Sequence, residues 1–418
     1  MTNTPRTTRL NRDRPERHGL ALVLLVFSLA LLSAPARAQS APPEVPAFTL
    51  RGFGTLGLAR SSNGEAEFLR DISQPTGVSN KWSARNDTLL GLQANYRINQ
   101  AAEVTVQGVS HYRHDGSFTP DLTGAFLKYT INPRLTLRAG RIGTEFLMQS
   151  DSRMVGYAYL PVRPSAEFFG GVPINYGDGI DAEIRWPIGD GVLSSELFAG
   201  YAAEKLPLYE LSNSLGIKWS LGYQQGSWLF RYIYAQLRTA KDIADLNDLR
   251  SMLSAVGAES AAHALGLAGT MARYHSLGAT YDNGNWQIQT AINLVNNEFV
   301  MFENSRSAYI IVGHRFGPIS PFAGYARGLS GAKTLDTGLP DAFFSELNTG
   351  VANVLKQTHQ DRRTISLGAR WDFARNMDLK AQIDWIKGDV SSVFLYENIK
   401  PGWNGQTTLF SVALDFVF

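Results

Sequence analysis

The chain ends on TTLFSVALDFVF, Thr407 to Phe418. Counted back from the last residue, Phe416, Leu414, Val412 and Phe410 share one face while Val417, Asp415, Ala413, Ser411 and Leu409 share the other, which is the two-residue period of a strand. Untethered chain ends fray and are ordinarily polar, so an aromatic terminus behind an apolar stripe predicts a strand held against apolar surroundings.

The opposite end narrows what those surroundings are. Arg6, Arg9, Arg12, Arg14 and Arg17 precede an apolar run from Gly19 to Ala34, and Ala36, Arg37 and Ala38 form a small-x-small cleavage signal. Residues 1–38 therefore read as a secretory signal peptide that is removed, leaving 39–418 as the working protein. The apolar run falls short of the roughly 20 residues a spanning helix needs, which argues against an anchor. The whole chain holds 39 Lys and Arg against 37 Asp and Glu, but six Arg and two acids belong to the leader. The remainder is slightly acidic, and no nucleic-acid partner is indicated. Cysteine is absent, so an exported protein of this size must be stable without disulfides, as a closed hydrogen-bonded sheet would be. After Ala38 no stretch approaches 18 apolar residues, which excludes a bundle of membrane helices.

Alternation recurs sixteen times from Phe48 onward, in segments of about ten residues, the length of a strand tilted across a bilayer. Clear outward faces are Leu50, Leu56 and Leu58; Leu90, Leu92, Ala94 and Tyr96; Ile180, Ala182, Ile184 and Trp186; and Ile217, Trp219, Leu221 and Tyr223. The last seven strands are expected near 277–281, 286–294, 308–316, 321–325, 365–371, 379–385 and 410–418. The opposite faces are polar, with Gln93, Asn95, Thr105, Gln107, Asp181, Glu183, Glu196, Lys218, Lys380, Asp384 and Asp415 among them, as a water-filled lumen requires.

Connections alternate between short and long. Short turns fall at 97–101, 132–133, 187–191, 224–226, 282–285, 317–318 and 373–376, several with the Asn-Gly, Gly-Asp or Asn-Pro punctuation of tight hairpins. Long segments occupy 61–84, 143–177, 238–270, 327–360 and 388–406. Beside the short turns sit outward aromatics: Tyr96, Tyr129, Trp186, Tyr223, Trp228, Tyr281, Trp286, Phe316 and Trp371. Amphipathic rings prefer the lipid interface, so one aromatic rim is expected there. A soluble all-β domain would expose the apolar face of every strand to water as an untenable patch. The expected fold is all-β, a transmembrane antiparallel up-and-down barrel of about 16 strands.

The phrases FTLRGFGTLGLA, RTISLGARWDFARNMDLKAQIDWIKGD and VALDFVF carry a resemblance to the Gram-negative outer-membrane porins, the general-diffusion type, over the whole length after the leader. The resemblance implies a 16-stranded barrel in the outer membrane, set among its lipid and lipopolysaccharide and assembled as a homotrimer. It implies a terminal aromatic, here Phe418, read by the barrel-assembly machinery. It also implies a third extracellular loop folded inward to narrow the pore. The corresponding stretch is Arg141 to Gly179, long enough to be a functional loop. Within it AEFFGG, Ala166 to Gly171, is similar to a Glu-Phe-Gly-Gly signature of some porins, with Phe169 as an extra residue.

A constriction sorts ions by opposed charge across a narrow polar passage. Loop candidates are Glu145, Asp151, Arg153, Arg163 and Glu167, and wall candidates at inward positions of the early strands are Arg51, Arg85, Lys128 and Arg138. Cations outnumber acids in this set, giving an expectation of weak anion preference in passive diffusion of small hydrophilic solutes and ions. No cofactor is called for.

Competing functions have weaker signals. A barrel-embedded hydrolase needs His beside Ser or Asp. His111 and His114 precede HDGSFTP with Asp115 and Ser117, but Gly-x-Ser-x-Gly is absent. The two His have no third metal ligand beside them and there is no Cys. A phosphate-specific channel would show an uninterrupted Arg and Lys ladder, which Asp181, Glu183, Glu196 and Asp384 break. A sugar channel would show a slide of inward aromatics, whereas only Tyr157, Tyr159, Phe168 and Phe169 are placed for it, and packing of the loop is their simpler role. A channel for small organic anions stays open as an alternative. In two long segments, Ile243, Leu246, Leu249, Leu253 and Val256, and the stretch PDAFFSELNTGVANVLKQT, have helical spacing and predict helices at the mouth.

Overall fold

Period-two alternation leaves every strand with one apolar and one polar face, and such strands find a solution in lipid only by closing on themselves, since an open edge would leave backbone groups without partners. The computed structural model describes residues 46–418 apart from 144, 151, 173 and 203. The expected leader and Asp151 lie outside the described residues.

Sixteen antiparallel strands form one closed barrel, each paired with its neighbours in sequence. They are β1 (Phe48–Ser61), β2 (Leu89–Arg97), β3 (Ala102–His111), β4 (Asp121–Asn132), β5 (Leu135–Gly143), β6 (Tyr176–Ile188), β7 (Gly191–Ala202) and β8 (Ser214–Gln225). The second half comprises β9 (Trp228–Arg238), β10 (Met271–Asp282), β11 (Trp286–Asn297), β12 (Asn304–His314), β13 (Ile319–Gly331), β14 (Asp361–Ala374), β15 (Met377–Gly388) and β16 (Gln406–Val417). The last strand closes on the first in a register running from Phe53↔Val417 to Ser61↔Leu409. Phe418 extends that ladder by a reciprocal pair of backbone hydrogen bonds with Gly52, 2.8 and 2.9 Å.

The outward apolar residues stand exposed all round the barrel, Leu50, Ile180, Leu277, Ile292 and Leu367 among them. That belt suits acyl chains and not water. All short turns lie at one end, where Gly226 and Asn376 take the positive φ that tight hairpins demand. Tyr96, Tyr129, Trp186, Trp228, Trp286, Phe316 and Trp371 are exposed beside those turns, as the sequence predicts. Trp228 packs on Tyr281 and Trp286 on His314 within this rim.

Several strands run past the stretch that their apolar face marks: β10 starts at Met271 rather than 277, and β13 extends from 319 to 331. Only the lipid-crossing part needs an apolar face, so the pattern fades where strands continue beyond it. At the end opposite the short turns, a two-stranded ribbon pairs Glu67–Phe68 with Tyr396–Glu397. The predicted loop helices are present as α2 (Asn247–Ala255), α3 (Glu259–Ala264) and α4 (Asp341–Lys356), and α1 (Ala166–Phe169) lies between β5 and β6. Leu253, Ala261 and Leu265 from α2, α3 and the residue following α3 share one buried cluster with Val351 and Leu355 of α4.

Candidate pore constriction

The connection from Glu145 to Asn175 leaves β5 and returns into β6, two adjacent strands, yet its contacts reach most of the barrel. Glu145 is ion-paired with Arg231 of β9 and accepts a hydrogen bond from Gln149 N at 2.6 Å. Met148 sulfur lies against Gly278 of β10, where a Cβ would come within 2.4 Å of it. Lys380 Nζ of β15 donates to Gly156 O at 2.7 Å, and Arg370 of β14 donates to Tyr157 O at 2.6 Å with its guanidinium 4.4 Å over the Tyr157 ring. A side chain at Gly156 would collide with Asp415 and Thr55, which are hydrogen-bonded to each other, so only glycine permits this approach.

Farther along, Val162 N donates to Gln382 Oε1 at 2.8 Å. Arg163 donates through Nε and Nη2 to Asp87 at 3.0 and 2.7 Å, through Nη1 to Asp384 at 3.2 Å and through Nη2 to Ser411 Oγ at 2.6 Å. Burial alone would push the Asp87 carboxyl up, but the Arg163 guanidinium holds it below the usual carboxylate range. Glu167, in α1, accepts from Arg362 Nε at 3.0 Å and Thr364 Oγ1 at 2.6 Å, both of β14. Phe168 meets the Tyr309 ring edge-on, centroids 4.9 Å apart. Arg153 ties the connection to itself, donating to Val172 O at 2.5 Å and Asn175 Oδ1 at 2.7 Å.

These contacts revise the part assigned to the loop charges. Glu145, Arg163 and Glu167 are buried and paired with wall groups, so they fasten the connection to the barrel instead of facing one another across water. Breaking any one pair would strand a buried charge, at a cost of about 3–5 kcal/mol. Asp415, expected to face water, is fully buried beneath Gly156 beside Lys380 at 2.9 Å. Arg85 is not on a strand: it lies in the connection before β2, exposed. Phe168 and Phe169 are buried in the largest apolar cluster, consistent with packing.

The other wall candidates stand on the inner faces of β1, β4 and β5, at positions that this connection leaves accessible. Arg51 of β1 and Lys128 of β4 are exposed and form no ion pair among the described residues. Arg138 of β5 is bonded to Asp181 at 2.5 Å and to Glu196 at 3.1 Å, and Glu196 accepts from Lys218 Nζ at 2.8 Å, a charge ladder across β5 to β8. Glu183 and Arg185 pair at 2.9 Å nearby. The lumen is thus two-sided: Gln93, Asn95, Gln107, Lys128 and Arg138 keep access to water, while Arg362, Lys380, Asp384, Ser411 and Asp415 have almost none.

The sequence alone does not single out Asp87, Arg231 and Arg362. Asp87 sits in a connection without alternation, and the partner of Glu167 lies 195 residues away, a distance over which spacing carries no signal. Of the catalytic competitor, His111 points Nδ1 at Tyr112 O, 3.2 Å away, and Asp115 accepts from Ser117 N at 3.0 Å.

No family model and no curated protein matches the sequence. Solved structures do. OmpF of Salmonella typhi, in complex with daunomycin, matches at 13% identity over 89% of this chain and 97% of its own, TM-score 0.56. An anion-selective porin from Comamonas acidovorans matches at 13% over 89% and 99%, TM-score 0.52. The trimer form of OmpT, an outer membrane protein of Vibrio cholerae, matches at 14% over 89% and 100%, TM-score 0.50. This is the porin fold. At these identities the likeness concerns architecture, and the porin barrel seen here adds its own wall chemistry to that architecture.

Proposed function

We propose that the chain is an outer-membrane porin, a water-filled channel for passive diffusion of small hydrophilic solutes and ions, in which the Glu145–Asn175 connection folds inward and confines the passage to the β1–β7 side. The observation that carries this reading is the two-sided lumen: Gln93, Asn95, Gln107, Lys128 and Arg138 of β2–β5 stay wet while Arg362, Lys380, Asp384, Ser411 and Asp415 of β14–β16 are buried. Barrels of 16 to 18 strands leave an aqueous channel, and a segment across it narrows that channel without closing it. Such a pore turns over no substrate and needs no catalytic group.

Selectivity would follow from the uncovered wall. Arg138, Lys218, Asp181 and Glu196 cancel as a group and Lys128 stands opposite Glu103, whereas Arg51 stands opposite the neutral Gln93, so a weak preference for anions is expected. The Comamonas acidovorans neighbour is itself described as anion-selective, which supports the sign. Reversal potentials in a salt gradient test it: Lys128→Ala should lower the anion preference, and Arg138→Ala, by leaving Asp181 without its partner and Glu196 with Lys218 alone, should turn it toward cations. Unchanged reversal potentials in both variants would overturn the wall assignment. We further propose a homotrimer, supported by the trimer form of the Vibrio cholerae neighbour, and recognition of Phe418 by the assembly machinery.

A further inference from the structure

On the β8–β14 side, beyond the connection that we read as the constriction, the structure encloses a chamber of about 590 Å³. Its character is opposite to that of the wet wall. Val295 of β11 lines it, Phe168 and Val172 form part of its lining from the connection, and Tyr209, Phe299 and Phe302 close over it from the neighbouring connections. Phe302 packs against both Tyr209 and Phe299, with centroids 5.2 Å apart in each pair. Burial pushes the Tyr209 phenol far up, so this ring stays neutral.

Charge is nearly absent inside. Among the described residues no Lys, Arg or His lines the chamber, and of its carboxylates Glu167 is bonded to Arg362 and Thr364 while Glu303 is bonded to Ser330 and to His359 at 2.9 Å. Burial and the neighbouring Glu67 push the third, Glu397, upward. Half-buried Asn297 of β11 and Ser305 and Ser307 of β12 bring uncharged polar side chains to the lining. These groups can donate and accept hydrogen bonds without carrying charge. Exposed Pro207, Leu208 and Ile399 belong to the same lining and give it access from outside.

We infer that this chamber is a binding site for an uncharged amphipathic molecule with a rigid apolar body and hydroxyl or carbonyl groups. Its volume falls in the range of small-molecule sites, and its apolar walls with a few convergent polar atoms are their usual chemistry. An anion would find no cation among the described lining residues, and a sugar would set hydroxyls against Phe168, Val172, Phe299 and Phe302. None of Arg51, Arg85, Lys128 and Arg138 lines the chamber, so the inference does not depend on ions flowing past them.

Hydrocortisone serves as the probe, in equilibrium dialysis against the intact chain in lipid nanodiscs, with empty nanodiscs to subtract partition into lipid. One saturable class of sites is expected for the wild type, with maltose failing to compete. Val295→Asp and Phe302→Ser should each weaken binding at least about tenfold. The second variant lies outside the strands, and folding of both is verified by their migration on unheated gels. Uptake equal to that of empty nanodiscs, or equal affinity in wild type and both folded variants, would overturn the inference. Saturable binding by a barrel that conducts no ions would remove the channel reading and leave this one intact.

Discussion

Arg163 donates to Asp87, Asp384 and Ser411 while almost wholly withdrawn from water. Replacing it with alanine leaves two buried carboxylates without their ionic partner, a cost of about 3–5 kcal/mol that falls on the connection and not on the sheet. Arg163→Ala should therefore keep a folded barrel whose 145–175 segment becomes cleavable by added protease; a segment as resistant as the wild type would show that the pairs do not hold it. Glu204, between β7 and β8, responds to pH instead. Burial pushes its carboxyl up to about 7, against hydrogen bonds from Asn175 N and Nδ2 at 3.1 Å and the charge of Arg153. Because the folded chain keeps this proton where the unfolded chain has lost it, its contribution to stability is full below the ordinary value of 4.5 and falls as pH rises to about 7. Thermal unfolding should show wild type losing stability relative to Glu204→Gln over that window, and an unchanged difference would contradict the assignment. The charges of the connection were legible as residues, since Glu145, Arg163 and Glu167 stand out in a long loop. Their partners were not, because Asp384 lies 221 residues from Arg163.

Strand β16 is where local sequence and global closure meet. Its alternation was plain in the last twelve residues, but alternation cannot say that Phe418 and Phe416 lay their rings over Gly52 and Gly54 of β1. A Cβ at Gly52 would stand 2.2 Å from the Phe418 ring, and one at Gly54 2.4 Å from Phe416. Gly52→Val should thus displace the terminal ring and slow closure, read as a smaller heat-modifiable fraction on unheated gels after refolding. Refolding at the wild-type rate and yield would show that the ring contact is dispensable. Helices α2 and α4 were visible through their spacing, whereas α1, four residues long, has too few turns to show a period. Strand ends were misplaced where the chain leaves lipid and the need for an apolar face lapses.

Across the whole molecule, sixteen strands, the aromatic rim and the alternation of short with long connections followed from patterns of period two and from turn residues, both local signals. The division of the lumen into a wet and a covered half did not, because it depends on where one connection comes to rest against strands from most of the barrel. That division is the basis of the channel reading, and it fixes how current should respond when the connection is released. Single-channel recording in planar bilayers, wild type beside Arg163→Ala, tests it most directly. The account predicts discrete conductance steps for the wild type and larger steps for the variant, as β14–β16 gain access to water. A folded barrel that inserts without steps, or steps of the same size in both proteins, would contradict it.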